Sequence, residues 1–87
     1  MKLRVWHICQ IGKVDPFYVD VNSIEEAWKI LNVLADYDLF QFENRIKPDY
    51  SSANGLEYFD EEENEWLDWS DEDGFDIWEH FREMEEV

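Results

Sequence analysis

The stretch Ser23-Ile24-Glu25-Glu26-Ala27-Trp28-Lys29-Ile30-Leu31-Asn32-Val33-Leu34-Ala35-Asp36 decides how the rest of this chain can fold. Ser23 and Glu26 have the spacing of a capping box, in which each side chain satisfies a free amide of the first helical turn. Ile24, Ala27, Trp28, Leu31, Leu34 and Ala35 then recur at helical intervals and make one broad apolar face. The pattern predicts an amphipathic helix over 23–36. A helix with one apolar face needs a partner to cover it, and the segments on either side supply strands.

Upstream, Leu3 to Ile11 alternates, with Leu3, Val5, His7 and Cys9 on one side and Arg4, Trp6, Ile8 and Gln10 on the other. Apolar groups on both sides predict a strand buried on both faces or nearly so. Gly12 to Pro16 breaks the pattern, and Phe17 to Val21 alternates again, so the two segments predict a hairpin. Downstream, Leu39 to Ile46 places Phe40, Phe42 and Ile46 on one side and Gln41, Glu43 and Arg45 on the other, which reads as a third strand. Lys47 to Gly55 reads as a loop, with Asn54-Gly55 as its turn signal. Leu56–Phe59 and Glu65–Trp69 read as two further strands joined through Asp60 to Asn64. Asp73 is placed to cap a short last helix, on which Ile77, Phe81 and Met84 share a face with Trp78 beside it. The expected fold is α+β: one domain over 1–87, a mostly antiparallel sheet of about five strands, one main helix across it and a short C-terminal helix.

Charge is distributed very unevenly. Residues 57–87 hold fifteen Asp or Glu and one basic residue, Arg82, a net of 1 − 15 = −14. The first 56 residues hold eight acids and six Lys or Arg, a net of 6 − 8 = −2. A solvated acidic tail would lack large apolar groups. Here Tyr58, Phe59, Trp66, Trp69, Phe75, Trp78 and Phe81 are threaded among the acids, so the carboxylates are expected on a folded surface, with Trp66, Trp69 and Trp78 in the core. A fixed acidic face repels nucleic acid and membranes and attracts basic protein clefts. The residues placed on it are Glu57, Asp60, Glu61, Glu62, Glu63, Glu65, Asp68, Asp71, Glu72, Asp73, Asp76 and Glu79. The expected partner is a basic, nucleic-acid-handling protein, with neither nucleic acid nor membrane bound directly. A purely solubilising surface is the competing account, but solubility alone is served by spreading charge along the chain.

The sequence offers little to other chemistries. Aligning Gly74 with the glycine of a calcium loop puts Asp71 and Asp73 at liganding positions, but it puts Trp69 at the first and His80 at the twelfth, where oxygen ligands are required. No metal or other cofactor is expected. His7 and Cys9 share a strand face about 6.5–7 Å apart, too far for a thiol–imidazole hydrogen bond, and read as a buried thiol and a satisfied histidine. Glu57 and Asp68 could face each other as a carboxylate pair, but carboxylates are so abundant here that the juxtaposition carries little weight. No nucleophile, phosphate-loop or zinc motif occurs, and the chain is not expected to be an enzyme. The alternative functions are a small-molecule-binding or sequestering domain with an aromatic cleft, and a regulatory subunit of a host complex. Cys9 is the single cysteine, which excludes an internal disulfide and fits a reducing cytoplasm. The N-terminus lacks the continuous apolar run of a signal peptide, and no segment has the ~20 apolar residues of a membrane span.

Val5-Trp6-His7-Ile8, Ala35 to Asn44 (ADYDLFQFEN), Lys47-Pro48-Asp49-Tyr50 and Gly55-Leu56-Glu57 resemble a family of small acidic proteins of phages and prophages, the superinfection exclusion proteins. The resemblance covers most of the chain and brings no catalytic residues with it. Ser51, Ser52 and Ala53 stand where the family pattern has a cysteine, so no thiol role carries over. It implies a phage-encoded protein in the cytoplasm of a bacterial host, directed at a rival phage or a host defence system.

Overall fold

A computed structural model describes residues 1–9, 12, 14–46 and 53–85, the last two as backbone alone. Four strands form one antiparallel sheet in the order β2-β1-β3-β4: β1 (Leu3–Ile8), β2 (Phe17–Val21), β3 (Ala53–Asp60) and β4 (Glu65–Asp68). Helices α1 (Ile24–Glu43) and α2 (Ile77–Glu85) complete the fold. The α+β class stands, with four strands among the described residues in place of about five.

The expected third strand, Leu39 to Ile46, is instead the last part of α1 and the turn that ends it. Ser23 caps the helix as its spacing predicts, its Oγ accepting from the Glu26 amide at 3.1 Å. Glu26 reaches back to the Asn22 amide, also at 3.1 Å. The helix does not stop at Asp36, however, and runs on to Glu43. Its inward stripe continues as Leu31, Leu34, Asp38 and Gln41, a helical spacing that a carboxylate and an amide disguise. Tyr37, Leu39, Phe40 and Phe42 are exposed, and Phe40 and Phe42, two apart, imitate a strand alternation. The helix ends in a Schellman turn: Arg45 sits at φ 60°, its amide donates to Phe42 O at 3.1 Å, and the Ile46 amide donates to Gln41 O at 2.8 Å.

Three other expectations change. Asn54-Gly55 lies within β3 and makes no turn; Gly55 is needed there because a Cβ would stand 2.7 Å from Trp6 Nε1, whose indole lies across it. Asp76, not Asp73, caps α2, its Oδ1 accepting from the Glu79 amide at 2.9 Å. Cys9 is exposed, because β1 ends at Ile8. The expected continuation of β1 through Ile11 and most of the Lys47–Gly55 loop lie outside the described residues.

The core lies between the sheet and the two helices. Leu3, Val5, Val21 and Leu56 meet Ala27 and Leu31 of α1 and Ile77 of α2. Trp28 joins the helices, stacking on Phe81 at 4.8 Å and meeting Trp78 edge-on at 4.9 Å. The Trp78 indole N–H donates to Asn54 Oδ1 at 2.8 Å and fastens α2 to the sheet. Both helices pack on this one face.

Candidate functional site

The acidic residues separate into three groups. The first is the tip of the β3–β4 hairpin. Asp60 Oδ1 accepts from the amides of Glu62 and Glu63 at 2.9 and 3.3 Å, and Asn64 turns the chain at φ 56°. That arrangement holds Glu61, Glu62, Glu63 and Glu65 exposed around one tight turn. The second is the loop before α2. Asp71 Oδ1 accepts from the amides of Asp73 and Phe75 at 2.9 and 3.0 Å, and its Oδ2 lies 2.8 Å from His80 Nδ1. The bond to His80, followed by those from the Phe75 and Asp73 amides, holds the Asp71 carboxyl below its ordinary value of 3.8. Asp71 and Asp76 are therefore engaged in closing a loop and capping a helix; Asp76 is itself exposed, as are Glu72, Asp73 and Glu79.

The third group, Glu57 and Asp68, faces each other across β3 and β4 on the side of the sheet away from the helices. Like charges directly opposite destabilise a ladder. Arg4 offsets this, its Nε donating to Glu57 Oε1 at 2.8 Å. The guanidinium also packs on two rings, with Cζ 3.8 Å from the Tyr18 centroid and 4.1 Å from that of Trp66. Trp66 meets Phe59 edge-on at 5.4 Å, and Lys2 Nζ lies 5.5 Å from the Trp66 ring. Trp66 is thus part of a half-covered aromatic and basic surface, not of the core. Trp69 and Trp78 do pack against the core, as expected.

Sequence reasoning placed these carboxylates on one acidic face; the structure distributes them over a hairpin tip, a loop and an open sheet face. It missed the open face because the alternation of β1 shows that both sides carry bulky groups without showing which side a helix covers. It also missed Asp38. That carboxylate is buried in α1, and its Oδ2 lies 2.9 Å from Nε2 of His7, itself 5% exposed. Asp38 fell at the expected end of the helix, where an acid reads as solvent-exposed. Its place seven residues after Leu31 was the available signal.

No helix among the described residues is long and apolar enough to cross a membrane. No solved structure matches the chain. The superinfection exclusion protein of Salmonella phage P22 is 48% identical over 83 residues, covering 83% of this chain and 80% of that protein. Residues 2–87 match the model of the family described as superinfection exclusion gene product 17. Resemblance in a few short segments thus extends to a match over nearly the whole length, and the chain belongs to the superinfection exclusion gene product 17 family.

Proposed function

We propose that this chain serves superinfection exclusion as a non-catalytic inhibitor, its acidic hairpin tip entering a basic cleft on a nucleic-acid-handling or defence protein of the bacterial host. One observation carries the reading: Asp60 ties the amides of Glu62 and Glu63, so the exposed carboxylates of Glu61, Glu62, Glu63 and Glu65 stand on a fixed turn. A turn whose backbone is already held in place loses little main-chain freedom on binding, as a preorganised ligand does. Duplex DNA presents one charge per ~1.7 Å of axis, and a basic channel built for that density also attracts a compact row of acids. Glu72, Asp73 and Glu79 extend the negative field, while Asp71 and Asp76 hold the loop and helix that carry them.

Capture of partners from host lysate on the immobilised protein, followed by washes of rising salt, tests this. Basic proteins released by moderate salt are the expected result. Combined Glu61→Gln, Glu62→Gln and Glu63→Gln should slow association and flatten its salt dependence, because peripheral charges act mainly on the encounter rate. The amides keep the shape of the tip, so the melting temperature should hold or rise slightly. Full-strength binding with an unchanged salt slope would reduce the tip to a solubilising surface.

A further inference from the structure

Strand β4 pairs with residues 57–60 of β3, and the Trp69 amide closes that edge on Leu56 O at 2.9 Å. Beyond this point β3 runs on past β4, and a cavity of about 170 Å³ lies between β1, β3 and the start of α2. Buried Leu56 and Ile77 contribute to its lining, and the indoles of Trp6, Trp69 and Trp78 supply most of the remaining apolar wall. Each indole is held by a contact of its own. Trp6 lies across Gly55, Trp69 meets His80 edge-on at 5.6 Å, and Trp78 donates to Asn54 Oδ1 at 2.8 Å. All three side chains are half-buried and keep surface for a ligand, and rings already fixed lose little freedom when one enters.

The lining also selects the charge of that ligand. Asp68 and Asp76, both exposed, complete it, and no Lys or Arg joins them among the described residues. Trp66 shows what an indole on this protein attracts, with Arg4 Cζ 4.1 Å and Lys2 Nζ 5.5 Å from its ring. Among the described residues, no cation of the chain is set over the three indoles of the cavity. Indole faces beside carboxylates favour a cation and reject an anion. The wall offers that cation few acceptors, because the carboxylates stand in solvent and Asn54 Oδ1 already accepts from Trp78. A bare ammonium would give up water that the wall does not replace, whereas a methylated one presents apolar surface to the rings. The volume is below the roughly 300–1,000 Å³ of drug-sized ligand sites, so it suits a head group of a few heavy atoms.

We propose that this cavity binds the trimethylammonium group of a small solute, its methyl groups against Trp6, Trp69 and Trp78 and its charge toward Asp68 and Asp76. A solute carries the group, because the acidic flank repels an anionic membrane surface. The site is separate from the hairpin tip and stands or falls independently of the inhibitor reading. The probe is choline, compared at fixed pH and ionic strength with its neutral carbon isostere 3,3-dimethylbutan-1-ol and with ethanolamine, its unmethylated counterpart. The readout is the indole N–H NMR signals, with Trp66 as internal control.

Choline should move the signals of Trp6, Trp69 and Trp78 saturably and leave that of Trp66 in place. The neutral isostere should bind at least roughly tenfold more weakly, and ethanolamine several-fold more weakly. Trp6→Leu, which removes one wall, should weaken choline by a similar factor. Asp68→Asn keeps the shape and relieves a like-charge pairing with Glu57, so the fold should persist while choline binds several-fold more weakly and the isostere is unaffected. Indole signals unmoved by choline, equal shifts at Trp66, an equal response to the neutral isostere, or undiminished binding in Asp68→Asn would each overturn the assignment. Retention of the protein on phosphatidylcholine vesicles would overturn the choice of a solute.

Discussion

Leu3, Val5 and Leu56 line one face of the sheet, and Arg4, Trp6 and Glu57 line the other from the same strands. The first set is covered by α1 and α2 and closely packed. The second is open, and its members remain half-buried because they cover one another: Trp6 over Gly55, Arg4 between Tyr18 and Trp66, Phe59 against Trp66. Both faces carry bulky side chains, yet they are held by different physics. The covered face depends on water excluded from aliphatic groups, and removing volume there leaves a cavity. The open face depends on stems and rings laid flat, with charges kept at the solvent edge, so that an apolar body and a polar end are both satisfied.

The largest test of this contrast is Leu31→Ala. Leu31 is fully buried where α1 meets the sheet, and its truncation should cost about 2–5 kcal/mol, a large share of a small domain's stability. A melting temperature close to that of the parent would mean that the helix face is not the core. Gly55→Ala acts on the open side, where the new methyl group would meet the Trp6 indole at 2.7 Å. It should cost about 1–3 kcal/mol and displace the ring, as overpacking does. Near-UV circular dichroism reports the displacement, and an unchanged spectrum would show that the indole does not rest on that glycine.

Arg4→Met keeps the apolar stem and removes the charge between Tyr18, Trp66 and Glu57. A loss of about 0.5–1 kcal/mol in urea unfolding is expected, less than at either preceding position. A loss as large as that of Leu31→Ala would erase the distinction between the faces. The last test concerns the loop that anchors the cover. Because the Asp71 carboxyl is held below 3.8 in the folded protein, the stability it contributes is present in full above that value and lost as pH falls through the lower folded one. Asp71→Asn should therefore flatten the fall in urea midpoint at the acid end, measured against the parent. Parallel curves would show that the contact with His80 does not hold α2 in place.

Some of this was written in local order along the chain. The cap at Ser23, the apolar stripe from Ile24 to Leu34, the alternation of β1 and β2 and the acidic turn at 60–64 each depend on neighbours a few residues away, and so does the polarisation of charge. The segments shared with the family were equally legible as sequence. What depended on distant partners was not. Asp38 lies in the interior against His7, thirty-one positions earlier, and without that distant contact α1 reads as finished at Asp36. Asn54-Gly55 has the composition of a turn, but the indole of Trp6 makes it a strand. The acidic positions were known from the sequence; which of them are engaged by partners was decided by Arg4, His80 and the α2 cap. Local periodicity determines which residues share a side of an element, whereas only the packing of elements against one another determines which side is covered.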